Sequence, residues 1–251
     1  YGMGHAEEIL GETLGARRRE VVIATKVGAD FHREPPGKCF DPDYMRRALE
    51  ESLARLRTDF IDVYQLHDPT ADEVRRPAVQ AALRAFIDEG LVRAAGVTVH
   101  HLAESEAALE SDLFATIQLP YSIATQWLAN RVLPRAPARG LGVIAREPLC
   151  QGFLSGKYEP DHVFAPSDFR ASWPPAHRRF LCDLAARLRV SLRERRRSET
   201  PPAAAALQFP LASPAVSTVI VGMKTPAQVD ENLAVISLPP LDEKTLVWMR
   251  E

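Results

Sequence analysis

Short, nearly continuous apolar runs rich in β-branched residues recur along the chain, at residues 21–27, 60–66, 92–99, 115–119, 142–146 and 216–221. Runs that are apolar at successive rather than alternate positions predict strands buried on both faces. Between them, residues 43–56, 77–89, 101–110, 128–139, 178–195 and 226–236 place apolar side chains at a helical period. This alternation predicts an α/β fold with a parallel sheet covered by helices, either open and doubly wound or closed into a barrel.

The polar residues separate the two. Lys26, His67, Thr98, Gln118, Arg146 and Lys224 each fall at or just past the C-terminal end of a different run. A barrel builds its site from many strand ends, whereas an open sheet gathers its ligand groups at one switch point. The expected fold is therefore a (β/α)8 TIM barrel made by residues 1–251 as a single domain. Six runs are present where such a barrel needs eight, so the expectation is a barrel incomplete at its N-terminus, with its first strands preceding Tyr1. Residues 158–214, with prolines at Pro160, Pro166, Pro174 and Pro175, read as a surface loop followed by helices.

Composition narrows the function classes. With 251 residues, 46% apolar and 25% charged, the chain has the balance of a soluble protein with one large core. Lys and Arg number 31 against 33 Asp and Glu, a net charge of −2 with both signs scattered. That pattern argues against nucleic acid or an anionic membrane as partner. The basic run from Arg193 to Arg197 reads as a solvated helix end, where cations suit the helix dipole. No stretch approaches the ~18 apolar residues of a membrane helix, and the first residues have no signal-peptide pattern. Cys39, Cys150 and Cys182 are far apart and lack C-x-x-C spacing, which points to reduced thiols and no metal centre. The expectation is an unexported, cytoplasmic protein with a small-molecule substrate.

Tyr1, Lys26 and His67 supply an acid, a cation and an imidazole on successive elements. A free tyrosine, with a pKa near 10, is a poor proton donor at neutral pH. An ammonium ~4 Å away at an effective dielectric of ~20 favours the phenolate by ~4 kcal/mol, enough to make such a tyrosine usable as an acid. An imidazole beside them can hydrogen-bond a substrate oxygen and orient it.

At this point the chain resembles the aldo-keto reductase superfamily. Tyr1-Gly2-Met3-Gly4-His5-Ala6-Glu7-Glu8-Ile9-Leu10-Gly11 looks like the segment that begins with that family's catalytic tyrosine. Residues 21–28, Val-Val-Ile-Ala-Thr-Lys-Val-Gly, resemble the strand ending in its catalytic lysine, and residues 62–67, Asp-Val-Tyr-Gln-Leu-His, the strand ending in its catalytic histidine. Gly96-Val97-Thr98 and Gln118 with Pro120-Tyr121-Ser122 resemble the strand ends that hold the nicotinamide carboxamide. Pro148, Leu149, Gly152 and Leu154 resemble the phosphate-side loop, and Gly222, Lys224, Thr225, Gln228, Glu231 and Asn232 the adenosine-phosphate clamp. The resemblance covers Tyr1 to about Leu238.

It implies NADPH-dependent reduction of an aldehyde or ketone, or the reverse, with Tyr1 as acid, Lys26 tuning it and His67 orienting the carbonyl. Lys224 is expected to pair with the 2′-phosphate, favouring NADP over NAD. The departures are Val99 where an asparagine is usual, and Arg146 in place of a stacking tyrosine. In addition, an aspartate that pairs with the lysine is expected five positions before the tyrosine, upstream of Tyr1. An NADPH-binding regulatory subunit with little turnover and an inactive fragment are the alternatives. Trp127, just past a strand end, is a candidate for the substrate mouth. Asp68 is expected to cap a helix rather than touch substrate, and His100 and His101 are expected at a loop or helix start.

Overall fold

The computed structural model describes residues 1–32, 36–195 and 200–251. They gather into two compact units, Tyr1–Leu119 with Pro134–Val143, and Pro120–Leu133 with Ile144–Glu251.

The first unit runs α1 (His5–Leu14), β1 (Ala24–Val27), β2 (Ala29–Asp30), β3 (Gly37–Lys38), α2 (Pro42–Leu56), β4 (Ile61–Leu66), α3 (Ala71–Arg75), α4 (Pro77–Asp88), β5 (Val92–Thr98), α5 (Leu102–Glu110) and β6 (Phe114–Pro120). Strands β1, β4, β5 and β6 lie side by side in that order and are parallel throughout, while β2 and β3 form a small antiparallel hairpin. The helices obey local chemistry. Pro42 and Pro77 start α2 and α4 at a position whose N–H has no helical partner. Met45, Leu49, Ser52 and Leu56 then recur on one buried face of α2, and Val79, Leu83 and Phe86 on that of α4. At Gly11 a Cβ would stand 2.3 Å from the Arg55 carbonyl oxygen, so only glycine lets α1 approach α2 this closely.

Strand β1 begins later than the apolar run. Val21 gives its carbonyl to the Arg18 guanidinium, and the Ile23 N–H donates to Asp62 Oδ2 at 3.0 Å, so side chains rather than a neighbouring strand take these groups. Asp62, 6% exposed, also receives Arg18 at 2.8 Å and Arg93 at 2.9 Å. Arg18, 7% exposed, further donates to Thr58 Oγ1 and the Phe60 carbonyl. Two buried charges thereby have nearly all their polar valences filled, the condition under which such a pair is tolerated.

In the second unit come α6 (Ala129–Val132), residues 144–146 of β7 (Gly142–Arg146), α7 (Pro175–Glu194), α8 (Pro202–Leu211), β8 (Val216–Ile220), α9 (Pro226–Ala234) and α10 (Glu243–Arg250). Ala204, Leu207 and Val235 form a buried cluster against which Leu149, Val219, Val221 and Leu238 pack. Within the proline-rich stretch, the Phe153, Tyr158, Phe164 and Trp173 rings meet at 5.1–5.9 Å, and Arg170 lies over Tyr158 and Phe164. This segment is folded on its own aromatic core.

Three expectations are corrected. The run at 216–221, expected to be buried on both faces, forms β8 with every residue half-buried or exposed. The single helix over 128–139 is a one-turn α6 and a 3-10 turn at Pro137–Arg139, because Pro134 and Pro137 lack the N–H groups a continuous helix needs. Asp68 caps no helix. Thr70 caps α3 in a reciprocal box with Glu73, and Asp68 is turned away at φ 50°. The hairpin, α3 and α10 went unpredicted, being too short to show a period. His101 does start a helix, capping α5 with Glu104. Of the basic run, Arg196 and Arg197 lie outside the described residues. No described helix is long and apolar enough to cross a membrane.

Asp62→Ala strands Arg18 and the Ile23 N–H without their acceptor. Urea denaturation is expected to read a loss of about 3–5 kcal/mol, whereas an unchanged midpoint would show the pair to be energetically idle.

Candidate active site

Side chains two apart on a strand share a face, and the register therefore decides which polar groups meet. Lys26 pairs with Gln65, Gln65 with Gly96 and Gly96 with Thr116, which places one transverse row on one face of β1, β4, β5 and β6. Two residues further on, His67, Thr98 and Gln118 form the next row on that face, with Thr98 paired to Gln118. Gly96 makes the first row possible, since a Cβ there would lie 2.3 Å from Thr116 Oγ1 and 3.0 Å from Gln65 Cγ. The amide of Gln65 and the Thr116 hydroxyl are buried without a hydrogen-bond partner.

Tyr1 joins these rows from the turn ahead of α1, where Gly2, Met3 and Gly4 all have positive φ. Its ring centroid is 5.0 Å from Lys26 Nζ and 6.0 Å from the His67 ring, with Tyr1 itself 70% exposed. The acid, the cation and the imidazole expected from the sequence are thus in one place.

His67 is fixed through its backbone, whose N–H donates to the Val27 carbonyl at 2.8 Å and whose carbonyl accepts from Lys38 Nζ at 2.6 Å. Burial, with the Lys38 and Lys26 ammoniums adding to it and Asp68 opposing, lowers the His67 pKa to about 4. At neutral pH the ring is uncharged and has a single N–H.

Around it stands a group that sequence reading did not assemble. Asp68 Oδ1 accepts the Thr98 hydroxyl at 2.7 Å and meets His100 Nε2 at 3.0 Å, while Oδ2 lies 3.5 Å from His67 Nε2 and 3.8 Å from Lys38 Nζ. The Asp68 N–H donates back to Thr98 Oγ1 at 2.9 Å. Burial alone would raise the Asp68 carboxyl, but the Thr98 hydrogen bond and the cationic or imidazole groups of His100, His67 and Lys38 outweigh it and hold the group below the usual carboxylate range. Adjacency to His67 was the one signal for Asp68. Lys38 gave none, because it arrives on a hairpin of two-residue strands.

The expected cofactor contacts divide by unit. Thr98 has spent its hydroxyl proton on Asp68, and only its remaining acceptor capacity is free. Gln118 is 5% exposed near the end of β6, where its side-chain amide is of the right chemistry for a carboxamide partner. In the second unit Arg146 is ion-paired with Glu147, Pro148 and Leu154 are buried, and Leu149 packs on the Ala204 cluster. Gly152, at φ 91°, opens a 3-10 turn. Lys224 is exposed and its N–H donates to Gln228 Oε1 at 2.7 Å, while Thr225 caps α9 by accepting the Gln228 N–H. At Gly222 a Cβ would meet nothing within 4 Å, Glu231 is exposed and Asn232 half-buried, so this strand end is open and presents a cation and a capped helix start. Trp127 lies half-exposed just past the Ser122–Thr125 bridge.

An NMR pH titration should place the His67 midpoint near 4, with Lys38→Met moving it upward. Because the folded value lies below the ordinary 6.5, the stability tied to His67 is fully present above pH 6.5 and is lost as pH falls through about 4. A midpoint at the ordinary value would contradict the buried, cation-flanked setting.

Residues 1–250 match the aldo/keto reductase family. Aldo-keto reductase YhdN of Bacillus subtilis is 30% identical over 174 residues, a match covering 68% of this chain and 52% of YhdN, so the aligned part spans about half of that relative. The NADH-specific methylglyoxal reductase of Escherichia coli is 29% identical over 287 residues, covering 100% of this chain and 80% of the relative. Among solved structures, the holo form of aldo-keto reductase AKR11C1 from Bacillus halodurans superposes with a TM-score of 0.82 at 27% identity, over 100% of this chain and 78% of that one.

Proposed function

Since the chain belongs to the aldo/keto reductase family, whose fold is the (β/α)8 barrel and whose members use nicotinamide cofactors, we propose that it reduces an aldehyde or ketone to an alcohol, or runs the reverse reaction, with NADP(H). The observation that supports this reading most is the meeting of Tyr1, Lys26 and His67 at adjoining strand ends. A dihydronicotinamide held by these residues would supply the hydride for the carbonyl carbon. Tyr1 then donates its phenolic proton to the carbonyl oxygen, and the Lys26 ammonium stabilises the phenolate left behind. The uncharged His67 imidazole donates its one N–H to the same oxygen and holds the carbonyl in line.

The donor set suits the cofactor. Gln118, buried near the end of β6, offers its amide to a carboxamide, and Thr98 adds an acceptor beside it. In the second unit the loop of Pro148, Leu149, Gly152 and Leu154 serves the phosphate side, with Arg146 offering a planar cation for stacking. Lys224 and Thr225, with Gln228, Glu231 and Asn232, serve the adenosine phosphate. The exposed Lys224 ammonium is the feature that favours NADP over NAD. Trp127 contributes to the substrate mouth. The substrate is a small carbonyl compound, and the reaction is cytoplasmic.

With NADPH and a reactive aldehyde, Tyr1→Phe is expected to lower kcat about 10²–10⁴-fold, the usual worth of a positioned acid, with nucleotide binding intact. Unchanged turnover would remove Tyr1 from the role of acid. Lys224→Met should weaken NADPH about 10–100-fold, the loss of one charge-assisted contact, and leave NADH nearly untouched. Equal loss for both nucleotides would refute the 2′-phosphate assignment.

A further inference from the structure

His67 has one ring proton to give at neutral pH, and a carbonyl oxygen can use it only from the nitrogen that faces the cleft. In an uncharged imidazole the tautomer is chosen by what stands beside each nitrogen. Beside Nε2 stands the Asp68 carboxylate, with Oδ2 at 3.5 Å. A carboxylate is acceptor-only, so a lone pair on Nε2 would face it with repulsion, whereas an N–H there is attracted. The separation is at the long limit of a hydrogen bond. It is close enough to select the tautomer and too long to sequester the proton from a substrate oxygen.

Asp68 is held for this task from several elements. The Thr98 hydroxyl, at the end of β5, exchanges two hydrogen bonds with it, donating to Oδ1 at 2.7 Å and accepting its N–H at 2.9 Å. His100 lies on the same oxygen at 3.0 Å, and Lys38, from the hairpin, lies 3.8 Å from the other. These contacts keep a non-glycine residue at φ 50° directly before Pro69, a conformation that persists only where its surroundings over-determine it.

We propose that Asp68 is a positioning residue for the reaction: its carboxylate, locked by Thr98 and shared between His100 and His67, fixes the ring proton of His67 on Nε2 and so fixes which ring nitrogen can donate to a carbonyl oxygen. The assignment rests on the reductase reading for its purpose, but not for its test.

In the full-length protein labelled with 15N-histidine, the His67 ring nitrogens report the tautomer directly at neutral pH. The parent is expected to have the proton on Nε2. Asp68→Asn keeps the shape, and asparagine tolerates positive φ, but its amide can present N–H donors to Nε2 and should move the proton to Nδ1. Thr98→Val, which leaves Asp68 in place but unlocks it, should give a partial shift in the same direction. With an aldehyde, Asp68→Asn should lower kcat about 10–100-fold while the KM for nucleotide stays within twofold. A proton on Nδ1 in the parent, or the same tautomer in parent and Asp68→Asn, would overturn the proposal, even if the variant unfolds at a lower temperature, since a merely structural hub moves stability and not the tautomer. If the parent turns over no carbonyl, the reductase reading fails while the tautomer still decides this inference.

Discussion

The first unit depends on one buried carboxylate. Asp62 receives Arg18, Arg93 and the Ile23 N–H at the start of two neighbouring strands, far from any substrate. Taking these charges from water is costly, and the cost is offset only because Arg18 also satisfies Thr58 and two backbone carbonyls. The consequence is register. With Ile23 tied to Asp62, β1 pairs with β4 so that Lys26 stands beside Gln65 and the Val27 carbonyl takes the N–H of His67. A slip of one residue would turn Lys26 to the opposite face and dissolve the site. The clamp at one end of the strands thus sets the chemistry at the other.

At that other end the electrostatics balance two ammoniums against one carboxylate. Lys26 and Lys38, with burial, keep His67 uncharged, and Asp68 stays ionised because Thr98, His100 and Lys38 compensate it. An uncharged imidazole donates without competing with Tyr1 as the acid, and the ammonium of Lys26 is left to the phenol ring 5.0 Å away. Each group has one task because its neighbours exclude the others.

Much of this was legible in the sequence where the signal is local. Apart from β8, which is half-buried or exposed along its length, the buried strands announce themselves as apolar runs, and Lys26, His67, Thr98 and Gln118 fall at or near strand ends as their positions indicated. What escaped was either short or nonlocal. The hairpin that delivers Lys38 has two-residue strands with no period, and the one-turn α3 hides its cap at Thr70, which is why Asp68 was misjudged. The 128–139 segment kept a helical period across Pro134 and Pro137, and covalent geometry overrode it. The role of Thr98 changed for a nonlocal reason, since a residue 30 positions earlier in the chain claims its hydroxyl proton.

The central claim is that these strand ends assemble a site for hydride transfer between nicotinamide and a carbonyl carbon. Its most direct test is to incubate the full-length protein with an aldehyde and NADPH deuterated on the transferring face of C4, and to analyse the alcohol by mass spectrometry and NMR. One deuterium on the former carbonyl carbon, lost together with turnover in Lys26→Met, is the expected result. Alcohol without the label, or no alcohol from any of a broad panel of aldehydes and ketones, would contradict the account.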